Sequence, residues 1–281
     1  MMKSKKGRKI VDHTASYIIL TIFALFIIIP VLWMLSTSLK TDVQTYARFP
    51  TWIPNPLIWD AYRNFFVLYN FGRLLMNSLI VSGTSLIVCC ACASFTGYAV
   101  TRYRFRGKKQ LMGFLLVTQM FPSVMLIVPF YAVLSTYRLT NSLLGLIVVY
   151  VGTNVAFSTW LLTSYFRTIP VELDEAARVD GASSFRIFWN IILPLVMPGI
   201  AAVAMFVLFN TWNEFMYASI LLSRESLNTI TVGILALNSH NHVRWNDLMA
   251  ASTISSLPLI ILFIIFQKYF IAGMTGGAVK S

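Results

Sequence analysis

Charge is what this chain has least of. Acidic and basic residues make up 11% of its 281 positions, and only 10 residues are Asp or Glu. A typical soluble domain carries about 25% charged residues. With 57% hydrophobic residues and a mean hydropathy of +0.72, a soluble chain of this length has nowhere to hide its apolar surface. That excludes a soluble globular class and leaves an all-α polytopic membrane protein. Histidine is nearly absent: His240 and His242 share an outer loop with Asp247, and no third His joins them, which argues against a metal centre or a membrane enzyme. The three cysteines, Cys89, Cys90 and Cys92, fall inside one apolar run. Adjacent cysteines rarely pair, so they read as small fillers of a helix interface and say nothing of redox compartment. A phosphate-cradling G-x-x-x-x-G-K-[ST] loop is missing too; Gly107-Lys108 lacks the earlier glycine and the following Ser or Thr. No internal repeat and no linker divides residues 1–281, so a single domain is expected.

What is there is a series of long apolar runs. A helix crossing the hydrocarbon needs about 20 apolar residues. Six stretches qualify: His13–Leu35, Asn77–Val100, Gln110–Leu134, Ser142–Tyr165, Leu195–Ile220 and Met249–Phe270. The first follows a basic stretch, as a signal peptide would. Its apolar run from Ala15 to Leu35 exceeds the roughly 7–15 residues of a signal core, so it reads as a retained span. A net charge of +12 would suit nucleic acid, but the basic residues cluster at the ends of spans, which removes nucleic acid as a partner. Fifteen Lys and Arg fall on the side of both termini and of the connections 101–109 and 166–194, against seven on the other side. By the positive-inside rule both termini are cytoplasmic. The long outer segment from Lys40 to Met76 is rich in Trp, Tyr, Phe and Pro and suits the membrane interface.

One cytoplasmic connection, about 168–194, breaks the apolar pattern with "DEAARVDGASSFRIFWNIILPL". Pro170 suits the first position of a helix. Glu172, Asp174 and Glu175 follow where the helix dipole favours negative charge. Asp174 and Arg178, four apart, have the spacing of a helical ion pair. Gly181 ends the helix in a left-handed conformation, Ser183 or Ser184 caps a second short helix through Trp189, and Leu193-Pro194 breaks it before the fifth span. An amphipathic loop lying on headgroups is the alternative. Against it stand the acidic character of the first helix, which suits no anionic leaflet, and the small pair Ala176-Ala177, which leaves room for another surface.

Glu175-Ala176-Ala177-x-x-x-Gly181, nine residues, then Ile191-x-Leu193-Pro194 resembles the EAA loop of ABC importer permeases at all seven defining positions. "TWNEFMYA" (Thr211–Ala218), "MFPSVMLIVPFY" (Met120–Tyr131) and the tail "YFIAGMTGGAVKS" resemble the carbohydrate, maltose-type class, and its smaller permease subunit in particular. The resemblance covers nearly the whole chain. It implies that Glu175, Ala176, Ala177, Gly181, Leu193 and Pro194, with Asp174 and Arg178 alongside, form a coupling helix seated on a cytoplasmic ATPase. Gly276 and Gly277 would lie in a tail inserted between two ATPase subunits. The chain itself would be no enzyme and hold no cofactor, since ATP and Mg would be bound by the ATPase dimer. The other implied partners are a second related permease, an extracytoplasmic solute-binding protein, a di- or oligosaccharide and the bilayer, in a bacterial or archaeal cytoplasmic membrane.

Polar residues within spans mark the path by default. Glu214 is the one acid inside an expected span. It lies nineteen residues past Leu195, roughly 28 Å up a helix at 1.5 Å per residue, beside Trp212 and Asn213. It reads either as an interfacial anchor or partner of an outer-loop Arg, or as an outer gate or contact for the binding protein. Pro122 and Pro129 are expected to kink the third span, with Gln119, Met120, Phe121 and Tyr131 around the kinks as sugar-stacking or hydroxyl-bonding groups, or as plain packing. Asn154, Asn210, Ser252, Ser255 and Ser256 line the path or glue helices. Two rivals stay open: a permease for another solute, such as glycerol phosphate or an amino acid, and an ion-coupled secondary transporter. The second predicts charged or broken helices near the midplane, where this sequence carries almost no charge.

Overall fold

The computed structural model describes the backbone of residues 2–237 and 243–278 and the side chains of residues 13–237 and 243–267. His240, His242 and Lys280 lie outside the described residues. Among the described residues all regular structure is helical. In chain order the α-helices are α1 (Met2–Ser38), α2 (Asp42–Thr45), α3 (Asp60–Val67), α4 (Phe71–Arg102), α5 (Lys108–Thr118), α6 (Ile127–Thr136), α7 (Leu143–Arg167), α8 (Glu172–Val179), α9 (Ser184–Ile187), α10 (Leu193–Leu195), α11 (Met197–Trp212), α12 (Met216–Leu221), α13 (Ile230–Ala236) and α14 (Trp245–Ala278). Four stretches are each long and apolar enough to cross a bilayer: His13–Ser38, Phe71–Arg102, Leu143–Arg167 and Trp245–Gln267. Two bent pairs, Lys108–Thr118 with Ser123–Thr136 and Ser184–Leu195 with Met197–Trp212, bring the number to as many as six when each pair counts as one broken span.

The third and fifth spans differ from expectation. The third is broken, not kinked: its halves meet at 99° across Gln119–Pro122. Pro122 opens a 3₁₀ turn, Ser123–Leu126. Pro129 lies in the first turn of α6, where a missing N–H costs no helical bond, so it causes no kink. The expected fifth span, Leu195–Ile220, divides at Asn213–Phe215 into α11 and α12. Leu193-Pro194 does not end the preceding helix either. Its ring would press on the carbonyl of Asn190 in regular α geometry, and the wider π-helical turn Phe188–Ile192 takes up that misfit. The 74° bend falls two residues later, at Val196.

The chain sorts into two compact units. The first comprises residues 1–70 and 236–255. Here α1 is apolar all round from Tyr17 to Leu32, and the side chains of that stretch are exposed, as lipid-facing residues are. Beyond its end, Thr41 and Gln44 bond reciprocally in a capping box that starts α2. The buried Lys40 ammonium stands 3.9 Å over the Trp33 ring. The aromatic segment after α1 packs against that helix and on itself, with Trp33 edge-on to Trp52 at 4.8 Å and Trp59 near Tyr62 at 5.6 Å.

The second unit comprises residues 71–235 and 256–281. Its core is made by α4, α7 and α11 with the hairpin between the last two: Cys89 and Tyr98, Leu162 and Phe166, Ile187 and Phe188, Val203 and Val207. Small residues let the backbones close in, as in helix packing where water gives no driving force. A Cβ on Gly199 would meet the Tyr165 ring at 2.5 Å, and one on Gly97 the Phe166 ring at 3.0 Å. Cys89 is fully buried among these apolar side chains, in keeping with a packing role.

Candidate functional site: a charged hairpin and a polar cleft

Two places gather the residues that sequence pattern singled out. The first is the hairpin α8–α9. Its first helix starts at Glu172, with Val171 at the cap, so Pro170 sits just outside it and not in the first turn. Its end has the expected chemistry. Gly181 takes φ +80°, its N–H donates to the Arg178 carbonyl (3.0 Å), and the Ala182 N–H donates to the Ala177 carbonyl (2.9 Å). This pair of crossed bonds satisfies carbonyls that the helix end would orphan, and it requires a residue content with a left-handed backbone. Ser183 then caps α9 by accepting the Arg186 N–H at 3.3 Å.

The two faces of α8 differ. Asp174 (2% exposed) and Ala177 (7%) turn inward, whereas Glu172, Glu175, Ala176 and Val179 are exposed. The predicted Asp174–Arg178 pair does not form among the described residues. Asp174 reaches instead to α4, where its Oδ1 accepts the Tyr98 hydroxyl at 2.8 Å and its Oδ2 lies 2.9 Å from Arg102 Nε. That last approach is a charge contact with poor hydrogen-bond alignment. Arg102 also donates from Nη2 to the Ile169 carbonyl at 3.1 Å. Burial decides the competition: Arg178 stays in solvent, so only a cation from the core side can neutralise a carboxylate that α8 turns inward. Sequence reasoning missed Tyr98 and Arg102 because they lie seventy-odd residues away; their four-residue spacing on α4 was the available signal. Leu193 packs against the same core, and Pro194 is exposed. Gly276 and Gly277 fall within α14, whose helical backbone runs on to Ala278.

The second place is a cleft of about 330 Å³ between α6, α7, α11 and α12. It brings together four of the predicted path residues, Gln119, Asn154, Asn210 and Glu214. Phe121 lines the adjoining hollow of about 570 Å³, which Gln119 shares. Met120, Tyr131 and Asn213 line neither; Met120 is exposed and the Asn213 amide folds back on the Phe209 carbonyl at 2.9 Å. Asn210 Nδ2 donates to Asn154 Oδ1 at 3.1 Å, and Asn154 Nδ2 donates to the Tyr150 carbonyl at 2.8 Å. Glu214 sits where the fifth span divides and has no Arg partner among the described residues. Its Oε1 accepts the Tyr217 N–H at 2.8 Å, and its Oε2 accepts the Ala218 N–H at 3.0 Å and the Tyr150 hydroxyl at 2.7 Å. It caps α12, where the helix dipole favours an anion. Tyr150, Ser123, Thr153 and Tyr217 also line the cleft and were not foreseen. Tyr150 precedes Asn154 by one helical turn, a polar stripe along α7 that a face-by-face reading would have caught.

An array of apolar spans, two of them broken, with a capped charged hairpin between spans and a polar cleft inside the helix cluster, is the build of a multi-pass transport protein. The chain belongs to the family of binding-protein-dependent transport system inner membrane components, whose model matches residues 90–276. It is therefore an ABC transporter permease subunit, a transport component with the ATPase on a separate subunit. It is 32% identical over 92% of its length to the trehalose/maltose transport system permease protein MalG of Thermococcus litoralis, 94% of which is covered. It is 30% identical to the maltodextrin transport system permease protein MalD of Streptococcus pneumoniae, end to end in both chains. A chain of a bacterial ABC transporter that imports the acidic polysaccharide alginate has the same fold, with a TM-score of 0.81 over 92% of this chain and 96% of that one, at 22% identity.

Proposed function

We propose that this permease moves an uncharged di- or oligosaccharide inward by alternating access, driven through the α8–α9 hairpin by a separate ATPase dimer. The observation that carries the proposal is the division of α8 into two faces: Asp174 and Ala177 tie it to the spans, while Glu175 and Ala176 remain exposed beside Val179 for a second surface. An exposed acid at such an interface sets register against a basic residue more than it adds affinity. A short helix stopped at both ends transmits displacement that a loose loop would absorb. Gly181, Leu193 and Pro194 shape the hairpin, Arg178 flanks its exposed face, and Gly276 and Gly277 lie in a tail that reaches the ATPase pair.

Relatives named for trehalose/maltose and maltodextrin transport support a carbohydrate cargo. So does the cleft. Gln119, Asn210 and Thr153 offer amides and hydroxyls to sugar hydroxyls, and among the described residues no Lys or Arg lines it, which counts against an anion such as glycerol phosphate. Phe121 beside it offers a ring face to a pyranose. Met120, Tyr131 and Asn213 belong to the surroundings of this path. Family membership sets aside the ion-coupled rival, although broken helices of the kind it predicted are present. The fifteen-to-seven bias of basic residues supports a cytoplasmic hairpin and cytoplasmic termini. The chain, residues 1–281, would then work as one permease domain beside a second, related permease, with a solute-binding protein delivering cargo from outside.

The test is uptake by the reconstituted complex carrying Glu175→Lys or Gly181→Asp. Both variants insert, and both lose ATP-driven uptake. The first repels its partner surface. The second puts a side chain and a charge on the left-handed residue that ends α8. Uptake at the wild-type rate in either variant would remove the hairpin from coupling.

A further inference from the structure

The hairpin carries four acids, Glu172, Asp174, Glu175 and Asp180, and only Asp174 is buried. A carboxylate taken out of water is costly unless it is paired and hydrogen-bonded. Asp174 meets both conditions on one element: Tyr98 and Arg102 project from the last turns of α4, four residues apart, and hold its two oxygens. Arg102 is itself 3% exposed, so neither charge has water to fall back on. The same guanidinium bonds the Ile169 carbonyl, just past the end of α7. Aromatic packing closes over the group, with Phe188 lying 5.1 Å from both Tyr98 and Phe95. The hairpin is therefore fastened to α4 on its inner face through a directional, water-excluded polar group. A buried ion pair is weak evidence for added stability, but it fixes geometry, because any other arrangement strands a charge.

We infer that Asp174, Arg102 and Tyr98 form a transmission clamp, a set of positioning residues that makes α8 move as one body with the cytoplasmic end of α4. In this assignment Asp174 never touches the ATPase. The contact belongs to the exposed face with Glu175, and the clamp delivers the resulting displacement to the α4 span. The inference rests on the coupling role proposed for the hairpin and adds the route by which the motion leaves it.

The experiment uses the assembled transporter in proteoliposomes. Spin labels are placed at Arg104→Cys, two residues past α4, and at Asp180→Cys, at the end of α8, with Cys89, Cys90 and Cys92 changed to alanine. With the clamp intact, the interlabel distance is the same in the ADP and ATP states. In Asp174→Asn the distribution broadens, and substrate imported per ATP hydrolysed falls about tenfold, while the ATPase subunits co-purify in wild-type ratio. Arg102→Gln does the same, and the double variant is no worse than either single one, as expected for residues acting through each other. A nucleotide-dependent interlabel distance with the clamp intact overturns the inference without any clamp mutant having to fold. So do multiplying losses in the double variant, or ATPase subunits lost from Asp174→Asn. Wild-type uptake in Glu175→Lys would instead defeat the coupling role itself, so the two failures are told apart.

Discussion

Replacing Glu214 with alanine removes three accepted hydrogen bonds at the point where the fifth span divides. Two come from the Tyr217 and Ala218 N–H groups at the start of α12, and the third from the Tyr150 hydroxyl. Loss of a helix cap costs about 0.5–2 kcal/mol. Tyr150 is 1% exposed, so its stranded hydroxyl adds the penalty of a buried unsatisfied donor, about 1–3 kcal/mol. Together they predict a loss of about 1.5–5 kcal/mol. Tyr150→Phe alone removes the donor and leaves Glu214 with its two N–H partners, for about 1–2 kcal/mol. In the double variant no hydroxyl is left to strand, so its cost falls short of the sum of the singles by about 1–2 kcal/mol. Glu214→Gln keeps one acceptor oxygen but turns an NH₂ toward one of the donors, and should fall between wild type and alanine. Unfolding titrated with a denaturing detergent and followed by circular dichroism measures all four. Strict additivity of the two alanine-cycle singles would refute the Tyr150–Glu214 link. Uptake separates this structural role from a path role: Tyr150→Phe keeps the carboxylate and should still transport, whereas Glu214→Gln should not if the carboxylate meets cargo.

Two further outcomes follow from packing and charge. Gly199→Val should destabilise by about 1–3 kcal/mol in the same titration, because a Cβ there lies 2.5 Å from the Tyr165 ring and the core must shift to admit it; Gly152→Val, with open space at its Cβ, should cost far less. Burial pushes the Lys40 ammonium below its ordinary 10.5. The unfolded chain therefore binds the proton more tightly, and stability should rise as pH climbs from the depressed value toward 10.5; Lys40→Met, measured over the same alkaline range, should flatten that rise.

Local chemistry was legible in the sequence wherever a residue's role is decided by its near neighbours. Gly181 in the left-handed region and Ser183 at the next cap are examples, since a cap bonds groups within a few residues. Span number was legible for a similar reason: the hydrocarbon imposes a length on any apolar run. What failed were roles decided by distant residues or by direction. Asp174 had a plausible helical partner in Arg178, yet burial handed it to Arg102 on another helix. The third span is expected to kink at Pro122 and Pro129, but nothing in the sequence sets the 99° turn at Pro122 alone, and the fifth reads as a continuous apolar run with no sign of its capped division. Those breaks also explain why only part of the cleft's polar lining was foreseen. Gln119 lies at one break and Glu214 at the other, and each break frees backbone N–H or C=O groups that must be re-satisfied away from lipid. Glu214 answers the Tyr217 and Ala218 N–H groups, and the Tyr217 hydroxyl answers the Ser123 carbonyl at 2.6 Å. The polar groups of the cleft thus bridge the two breaks, so a change that removes them should disturb the turn of both spans before it disturbs any contact with cargo.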